Sequence, residues 1–174
     1  VSLLEDTPTT PTKTSLNDAT IKLAQSCVYD GTEQKPPVNV ELNQRPILQQ
    51  GNFTVDYENN INASTEAKVQ IVALDTGMYS GGTSSYFTIS PAQLSIQSVK
   101  AENRDYNGTS EVRISGVTLG GVCSQNNVLD DVKVTVPQGI VGTISSANAG
   151  TYTTITFPEE TSFQLSGAMA KNYT

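Results

Sequence analysis

The side chains that carry most enzyme chemistry are scarce in this chain. It has no histidine, the commonest general base and a frequent metal ligand. Its two cysteines, Cys27 and Cys123, are far apart in sequence, whereas zinc sites draw on closely spaced cysteine and histidine. Serine–histidine and cysteine–histidine pairs are therefore excluded. We expect a protein that is not an enzyme, with no catalytic residue, cofactor site or metal site.

One group of oxygen-bearing side chains could bind a hard cation. Asp130 and Asp131 follow Asn126 and Asn127 closely, and calcium takes oxygen ligands from such loops. The spacing of an EF-hand loop is absent, and clusters of this kind more often cap turns. We therefore favour turn capping over calcium binding.

A second pair of carboxylates, Glu159 and Glu160, lies next to each other in sequence. Glycosidases hold two carboxylates across a cleft, but neighbouring residues of a strand point to opposite faces. We interpret the pair as a solvated turn after Pro158.

Two further chemistries depend on surface aromatic rings or buried lysines. Sugar-binding sheets display exposed aromatic rings, and Tyr79 and Tyr86 are the tyrosines least explained by a strand face; packing on an edge strand is the favoured alternative.

Internal lysine–asparagine links need a buried lysine. The strand alternation places Lys22, Lys68 and Lys133 facing outward, which disfavours such a link.

The cysteines allow two states. A small secreted domain held by disulfides usually carries more than two cysteines, and these two fall in different halves of the chain. We favour buried thiols, with a single bridge as the alternative.

The elements that position these residues are short strands. Apolar residues alternate with polar ones, and Gly, Pro, Asn and Asp turn signals separate the runs, as in an all-β fold. The alternating faces of the first half are Ile21 and Leu23; Val38, Val40 and Leu42; Phe53, Val55 and Tyr57; Ala67, Val69, Ile71 and Ala73; Phe87 and Ile89. Those of the second half are Leu94 and Ile96; Val112 and Ile114; Val132, Val134 and Val136; Thr153, Ile155 and Phe157; Phe163 and Leu165.

A local signature occurs once in each half. Tyr29-Asp30-Gly31-Thr32 matches Tyr106-Asn107-Gly108-Thr109, each after an opening strand, which indicates internal duplication. The Asp or Asn side chain caps a turn and the glycine supplies a positive φ. We expect each tyrosine to bury its ring and to hydrogen-bond a backbone acceptor.

The composition limits the classes of binding partner that the chain could have. The chain has 174 residues, 36% of them hydrophobic, and a net charge of −7 with its ten basic residues scattered. Nucleic acid is disfavoured because phosphate binding needs clustered Lys and Arg. No run of about 18 apolar residues occurs, so we expect no membrane insertion of this segment.

In the residues just described, the chain resembles the bacterial MBG and YDG repeats, Ig-like modules of cell-surface adhesins and secreted proteins. Four stretches of the first half follow the MBG pattern, with Asn52-Phe53 for the usual Asp-Tyr and Ser64 for the usual Gly: Tyr29–Thr32, Asn52–Ala63, Met78–Gly81 and Phe87–Ile89. The second half follows the YDG pattern, with Asn107 for the usual Asp, at Asp130–Val132, Asn148–Tyr152 and Leu165–Thr174.

The resemblance implies two tandem immunoglobulin-like β-sandwich modules. Residues 1–17 would be a linker or the end of a preceding module, 18–91 the MBG-like module, and 92–174 the YDG-like module. In the family a further strand follows the last motif, so we expect the final strand to lie beyond Thr174. An edge left unpaired there would permit a strand-mediated dimer.

The expected role is structural. The modules would be extracellular spacer or stalk units of a cell-surface or secreted protein, with its neighbouring domains as partners. The alternative is an adhesion module that binds carbohydrate or another ligand on a host surface.

Overall fold

The protein is built from short strands. A computed structural model describes residues 11–136, 138–159 and 161–174. These residues contain strands and one short 3-10 helix but no α-helix, which confirms the predicted all-β fold. The strands are β1 Thr14–Ser15, β2 Thr20–Leu23, β3 Cys27–Val28, β4 Val38–Leu42, β5 Arg45–Ile47, β6 Phe53–Glu58, β7 Ser64–Ala73, β8 Tyr79–Ser80, β9 Gly82–Ser90, β10 Ser95–Ala101, β11 Glu111–Gly120, β12 Ser124–Gln125, β13 Val128–Leu129, β14 Lys133–Thr135, β15 Val141–Thr143 and β16 Gln164–Ser166; the 3-10 helix is Ala170–Asn172.

The chain forms two compact units that do not follow its sequence halves strictly. The first holds residues 11–27, 33–60 and 64–89. The second holds Ser90–Thr174 together with two short segments from earlier in the chain, Val28–Thr32 and Ile61–Ala63. The Tyr-Asp-Gly-Thr motif of the first half therefore belongs to the second unit.

Two sheets and a parallel strand pair make up the first unit. One sheet has the order β2-β4-β5, the other β3-β9-β7-β6, and β1 pairs with β8 in parallel. All five predicted alternating runs lie in these strands. The tight turn between β4 and β5 has positive φ at both central residues, Asn43 and Gln44, as the type I′ form of a two-residue hairpin requires.

Residues of both sheets share one core in the first unit. Leu16, Val40, Phe53 and Ile71 are buried together. Residues 1–10 of the predicted linker lie outside the described residues, and 14–15 form β1, which brings Leu16 into this core at 0% exposure.

The second unit has less regular pairing. Its sheet has the order β10-β11-β15, and β12 pairs with β13 and β14 with β16. The predicted positions Val112 and Ile114 are buried on β11, and Val132 is buried just before β14. The predicted strand through Thr153, Ile155 and Phe157 is wrong: only an isolated bridge between Thr156 and Thr143 forms there. The alternation exists, but no strand offers it a continuous ladder.

The first and last residues of the segment 90–174 pair with each other. Ala92 and Tyr173 form a parallel bridge. The Ala92 N–H donates to the Asn172 carbonyl (2.9 Å), the Thr174 N–H to the Ala92 carbonyl (2.9 Å), and the Leu94 N–H to the Thr174 carbonyl (2.8 Å). The two ends of this segment therefore run side by side in the same direction.

Candidate functional site

Three residues of the second unit, distant in sequence and each from a different motif, form one hydrogen-bonded cluster in which two tyrosines contact one carboxylate. The Tyr29 hydroxyl and the Tyr173 hydroxyl each donate to Asp130 Oδ2 at 2.5 Å. The two rings lie edge to face, with centroids 5.4 Å apart. Both tyrosines are buried, at 2% and 6% exposure. We call Tyr29, Asp130 and Tyr173 the tyrosine–carboxylate cluster.

Backbone hydrogen bonds hold each member of the cluster in place. The Tyr29 N–H donates to the Ser90 carbonyl at 2.8 Å. The Asp130 N–H donates to the Cys123 carbonyl at 3.0 Å, and the Cys123 N–H donates to the Tyr173 hydroxyl at 2.9 Å. The Tyr173 hydroxyl is thus donor and acceptor at once, which fixes its orientation.

A buried asparagine stands beside the cluster. Asn172 is 0% exposed. Its Oδ1 accepts the Ala63 N–H at 2.9 Å, and its Nδ2 donates to Asn62 Oδ1 at 3.0 Å. The buried amide is therefore satisfied at both ends, as buried polar groups in stable folds usually are.

Burial governs the acid–base behaviour of the two phenols. Burial first, and then the hydrogen bond to the negative Asp130, raises the pKa of Tyr29 to about 12. The same causes, burial first, raise the pKa of Tyr173. Both hydroxyls therefore keep their protons at neutral pH and serve as donors.

The loop that carries Tyr29 has the predicted turn. Asp30 Oδ1 accepts the Thr32 N–H at 2.8 Å and the Thr32 hydroxyl at 2.7 Å, and Gly31 has a φ of +81°. The prediction for the tyrosine is half right. Its ring is buried, but its hydroxyl bonds a carboxylate instead of a backbone carbonyl.

The duplicated loop in the second half repeats the turn. Asn107 Oδ1 accepts the Thr109 N–H at 3.1 Å and the Thr109 hydroxyl at 2.9 Å, and Gly108 has a φ of +76°. Tyr106, however, is 67% exposed, so the prediction that its ring is buried is wrong.

The guanidinium of Arg104 fixes this second loop through hydrogen bonds. Its guanidinium donates to Asn107 Oδ1 at 2.5 Å, to the Thr109 carbonyl at 2.6 Å and, through Nε, to the Glu111 carbonyl at 3.0 Å. A cavity of about 360 Å³ lies beside it. Because the guanidinium hydrogens are used within the loop, the cavity is poorly equipped to bind an anion.

The candidate calcium ligands serve other purposes. Asn126 and Asn127, both at positive φ, form the two-residue turn between β12 and β13. Asp131 Oδ2 accepts the Ala168 N–H at 3.1 Å, and its carboxylate pairs with Lys133 at 3.0 Å. The Ala168 hydrogen bond, then Lys133, lowers the pKa of Asp131. Across the described ranges, no group of three His, Cys, Asp or Glu could hold a metal.

The remaining candidates are not members of the cluster. Tyr86 is 69% exposed on β9 and Tyr79 is half-buried on β8. Lys22 pairs with Glu41 and Lys68 with Glu58. Of the candidate carboxylates, Glu159 is exposed and Glu160 lies outside the described residues.

The cysteines are thiols in both units. Cys27 is buried in the first, and Cys123, half-buried in the second, brings its Sγ to 4.0 Å from the Tyr29 carbonyl. The favoured thiol state agrees with this, and the alternative of a bridge does not.

These features fall largely within one stretch of the chain. Asp130, Asn172, Tyr173 and the loop 105–109 all lie after Ser90. Residues 90–174 match the YDG domain model. The predicted YDG resemblance of the second half is thereby confirmed. Tyr29 lies outside the YDG match, although the structure assigns it to the same compact unit.

No curated protein and no solved structure matches the chain. The part of the chain that the structure describes contains no helix with the length and apolar character needed to cross a membrane.

Sequence reasoning missed the role of Asp130. It grouped this residue with its neighbours as a turn cap, because its two partners are 101 and 43 residues away. The signal that could have found it is the set of family motifs itself, since Tyr29, Asp130 and Tyr173 each belong to a different one.

Proposed function

We propose that the chain is a non-catalytic spacer, consisting of two Ig-like β-sandwich modules in tandem within the stalk of a bacterial, adhesin-like protein on the cell surface or secreted. The stalk would hold neighbouring domains of the parent protein away from the surface. The observation that carries this proposal is the parallel pairing of the segment ends, Ala92–Leu94 with Asn172–Thr174.

Parallel pairing of entry and exit strands resists extension. A stretching force pulls residue 92 toward the N-terminus and residue 174 toward the C-terminus. Because the two strands run in the same direction, these forces slide one strand along the other and load the three backbone hydrogen bonds together. Strands pulled apart from one end would instead lose their bonds one at a time.

The hydrogen-bonded polar groups of the second unit, of which Asp130 is half-buried, support the same role. The Asp130 carboxylate, both tyrosine hydroxyls and the Asn172 amide are hydrogen-bonded inside the unit. Breaking part of such a network leaves groups that are still shielded from water without partners, which costs more than losing the bonds alone. The network therefore adds resistance next to the paired strand ends.

Single-molecule stretching tests the proposal in two geometries. In the first, handles at exposed Ser90 and at Thr174 pull the two ends of the segment and slide the paired strands along each other. In the second, handles at exposed Gln97 and at Thr174 peel the same pair from one end. We expect the second unit to unfold at a clearly higher force in the first geometry. Equal forces, or a lower force when the ends are pulled, would contradict a load-bearing role.

A carbohydrate- or host-ligand-binding module is the second candidate. Tyr86 favours it, because this ring is 69% exposed on β9 and its cross-strand neighbour Lys68 pairs with Glu58 at 3.3 Å. An aromatic ring beside polar groups can stack on a sugar. Glycan and matrix arrays, probed with the parent chain and with Tyr86→Ser, would distinguish the two functions. Leu48→Ser is the control, because it removes another exposed apolar side chain. Saturable binding lost only in Tyr86→Ser would replace the spacer proposal.

A further inference from the structure

The two copies of the Tyr-Asx-Gly-Thr loop have the same turn conformation but differ in the burial of their tyrosine. Both close through an Asx side chain onto the threonine two residues later, and both have a glycine at positive φ. Tyr29 is 2% exposed and bonded to a carboxylate, whereas Tyr106 is 67% exposed. One loop of the pair is therefore docked in a compact unit and the other is not.

The undocked loop is already in its folded conformation. Arg104 bonds Asn107, Thr109 and Glu111, so the turn does not depend on Tyr106 for its shape. A preformed loop loses little conformational entropy on binding. A tyrosine on a rigid support is also a side chain on which interface energy commonly concentrates.

We propose that loop 105–109 is a docking element for a further module of the same kind as residues 90–174. That module would carry its own counterparts of Asp130 and Tyr173. In it, Tyr106 would occupy the position that Tyr29 has in this chain, donating its hydroxyl to the carboxylate with its ring against the partner tyrosine.

The chemistry favours such a module over a second copy of this chain. In this chain, Asp130 Oδ2 already accepts Tyr29 and Tyr173. A second copy would offer the Tyr106 hydroxyl an occupied carboxylate, whereas a module without a docked tyrosine offers a vacant one. The inference rests on the duplicated loop, and it does not require the spacer role.

The test extends the full chain after Thr174 with a second copy of residues 90–174 in which the tyrosine equivalent to Tyr106 is replaced by phenylalanine, so that only the original loop yields the Tyr106 peptide. Tyrosine nitration, read peptide by peptide, reports the exposure of Tyr106. We expect nitration of Tyr106 to slow by about tenfold or more in the extended chain, as the burial of one charge-assisted hydrogen bond implies. Tyr86, which is exposed on the first unit, should react equally in both chains.

Two variants link the protection to the proposed contact. Asp→Asn at the added copy's counterpart of Asp130 should restore much of the Tyr106 reactivity. Tyr106→Phe should destabilise the added module in the extended chain and leave the stability of the original chain nearly unchanged. An added segment that stays unfolded, or one that folds while Tyr106 reacts at its original rate, overturns the proposal.

Self-association provides an independent check. Dimers of the original chain that Tyr106→Phe abolishes would assign the loop to a second copy and overturn the proposal. Force measurements on the original chain are unaffected by either result, so failure here is distinguishable from failure of the spacer role.

Discussion

Tyr29 and Tyr173 lie edge to face, 5.4 Å apart, and direct their hydroxyls to the same oxygen of Asp130. Two phenol donors stand where water would otherwise solvate that carboxylate. The arrangement requires a charged acceptor and two neutral donors, because a deprotonated phenol would repel the carboxylate. The cluster therefore stabilises the second unit only while its protons are in place.

Removing the charge of Asp130 should weaken the second unit. Asp130→Asn keeps the shape, but its neutral amide accepts hydrogen bonds less strongly and adds two donors beside two hydroxyl donors. We expect the free energy of unfolding to fall by about 1–3 kcal/mol. Urea denaturation of the full chain, followed by tyrosine fluorescence, measures it.

Asp131→Asn is the matched control for this change. Its carboxylate is solvent-exposed, pairs with an exposed Lys133, and an amide oxygen can still accept the Ala168 N–H. Exposed ion pairs contribute little to stability. An equal loss of unfolding free energy in the two variants would show that the cluster contributes no more to stability than an exposed ion pair.

Alkaline pH should unfold the second unit through the same phenols. The pKa of Tyr29 rises from 10.0 to about 12 on folding, so the folded state binds the proton more tightly than the unfolded state. Its contribution is complete below pH 10 and is lost as the pH rises through 12, up to about 3 kcal/mol. Denaturation at increasing pH, with phenolate absorbance recorded in parallel, tests this.

Two tyrosine variants separate this effect from general alkaline damage. Tyr29→Phe should lower stability at neutral pH and flatten its decline at high pH. Tyr106→Phe removes an exposed hydroxyl and should leave the decline unchanged. A decline as steep in Tyr29→Phe as in the parent chain would contradict the assignment.

The duplicated turns should differ in their tolerance of a side chain. At Gly31, with φ +81°, an added Cβ would lie 3.3 Å from Gln125 Cγ. At Gly108, with φ +76°, the nearest atom is the Tyr106 hydroxyl at 4.0 Å. Both Gly→Ala changes strain the backbone by about 1–2 kcal/mol. Gly31→Ala should cost more, because Gln125 must also move.

Asparagine substitutions provide the control for backbone strain. Asn tolerates the left-handed region better than Ala, so Gly108→Asn should recover part of the loss seen in Gly108→Ala. Thermal unfolding ranks the three variants, Gly31→Ala, Gly108→Ala and Gly108→Asn, against the parent. Equal losses for Gly31→Ala and Gly108→Ala would mean that packing at Gln125 does not matter.

The strands of the first unit could be predicted because their pattern and their pairing agree. Phe53, Val55 and Tyr57 alternate along β6, and β7 offers an unbroken antiparallel partner. Around Ile155 the same alternation has only one bridge to Thr143. Alternation in sequence indicates which residues share a face, but a strand also needs a neighbour, and a local pattern does not supply one.

The candidate site could be predicted only in pieces. The turn around Gly31 follows from local chemistry, which a four-residue motif contains. The burial of Tyr29 depends on Asp130 and Tyr173, which approach it only in the folded unit. In the matching motif the ring of Tyr106 is exposed, so the motif specifies the turn and the tertiary environment specifies the burial of the tyrosine.

The buried side-chain amide of Asn172 should determine how slowly one backbone amide proton, that of Ala63, exchanges with solvent. Asn172→Ala leaves the Ala63 N–H without its acceptor and Asn62 Oδ1 without its donor. We expect a loss of about 1–3 kcal/mol in unfolding free energy and much faster hydrogen exchange at the Ala63 amide. Asn103→Ala, at an exposed asparagine of the same unit, should change neither. If the Ala63 amide keeps its protection in Asn172→Ala, segment 61–63 is held in the second unit by contacts other than this hydrogen bond.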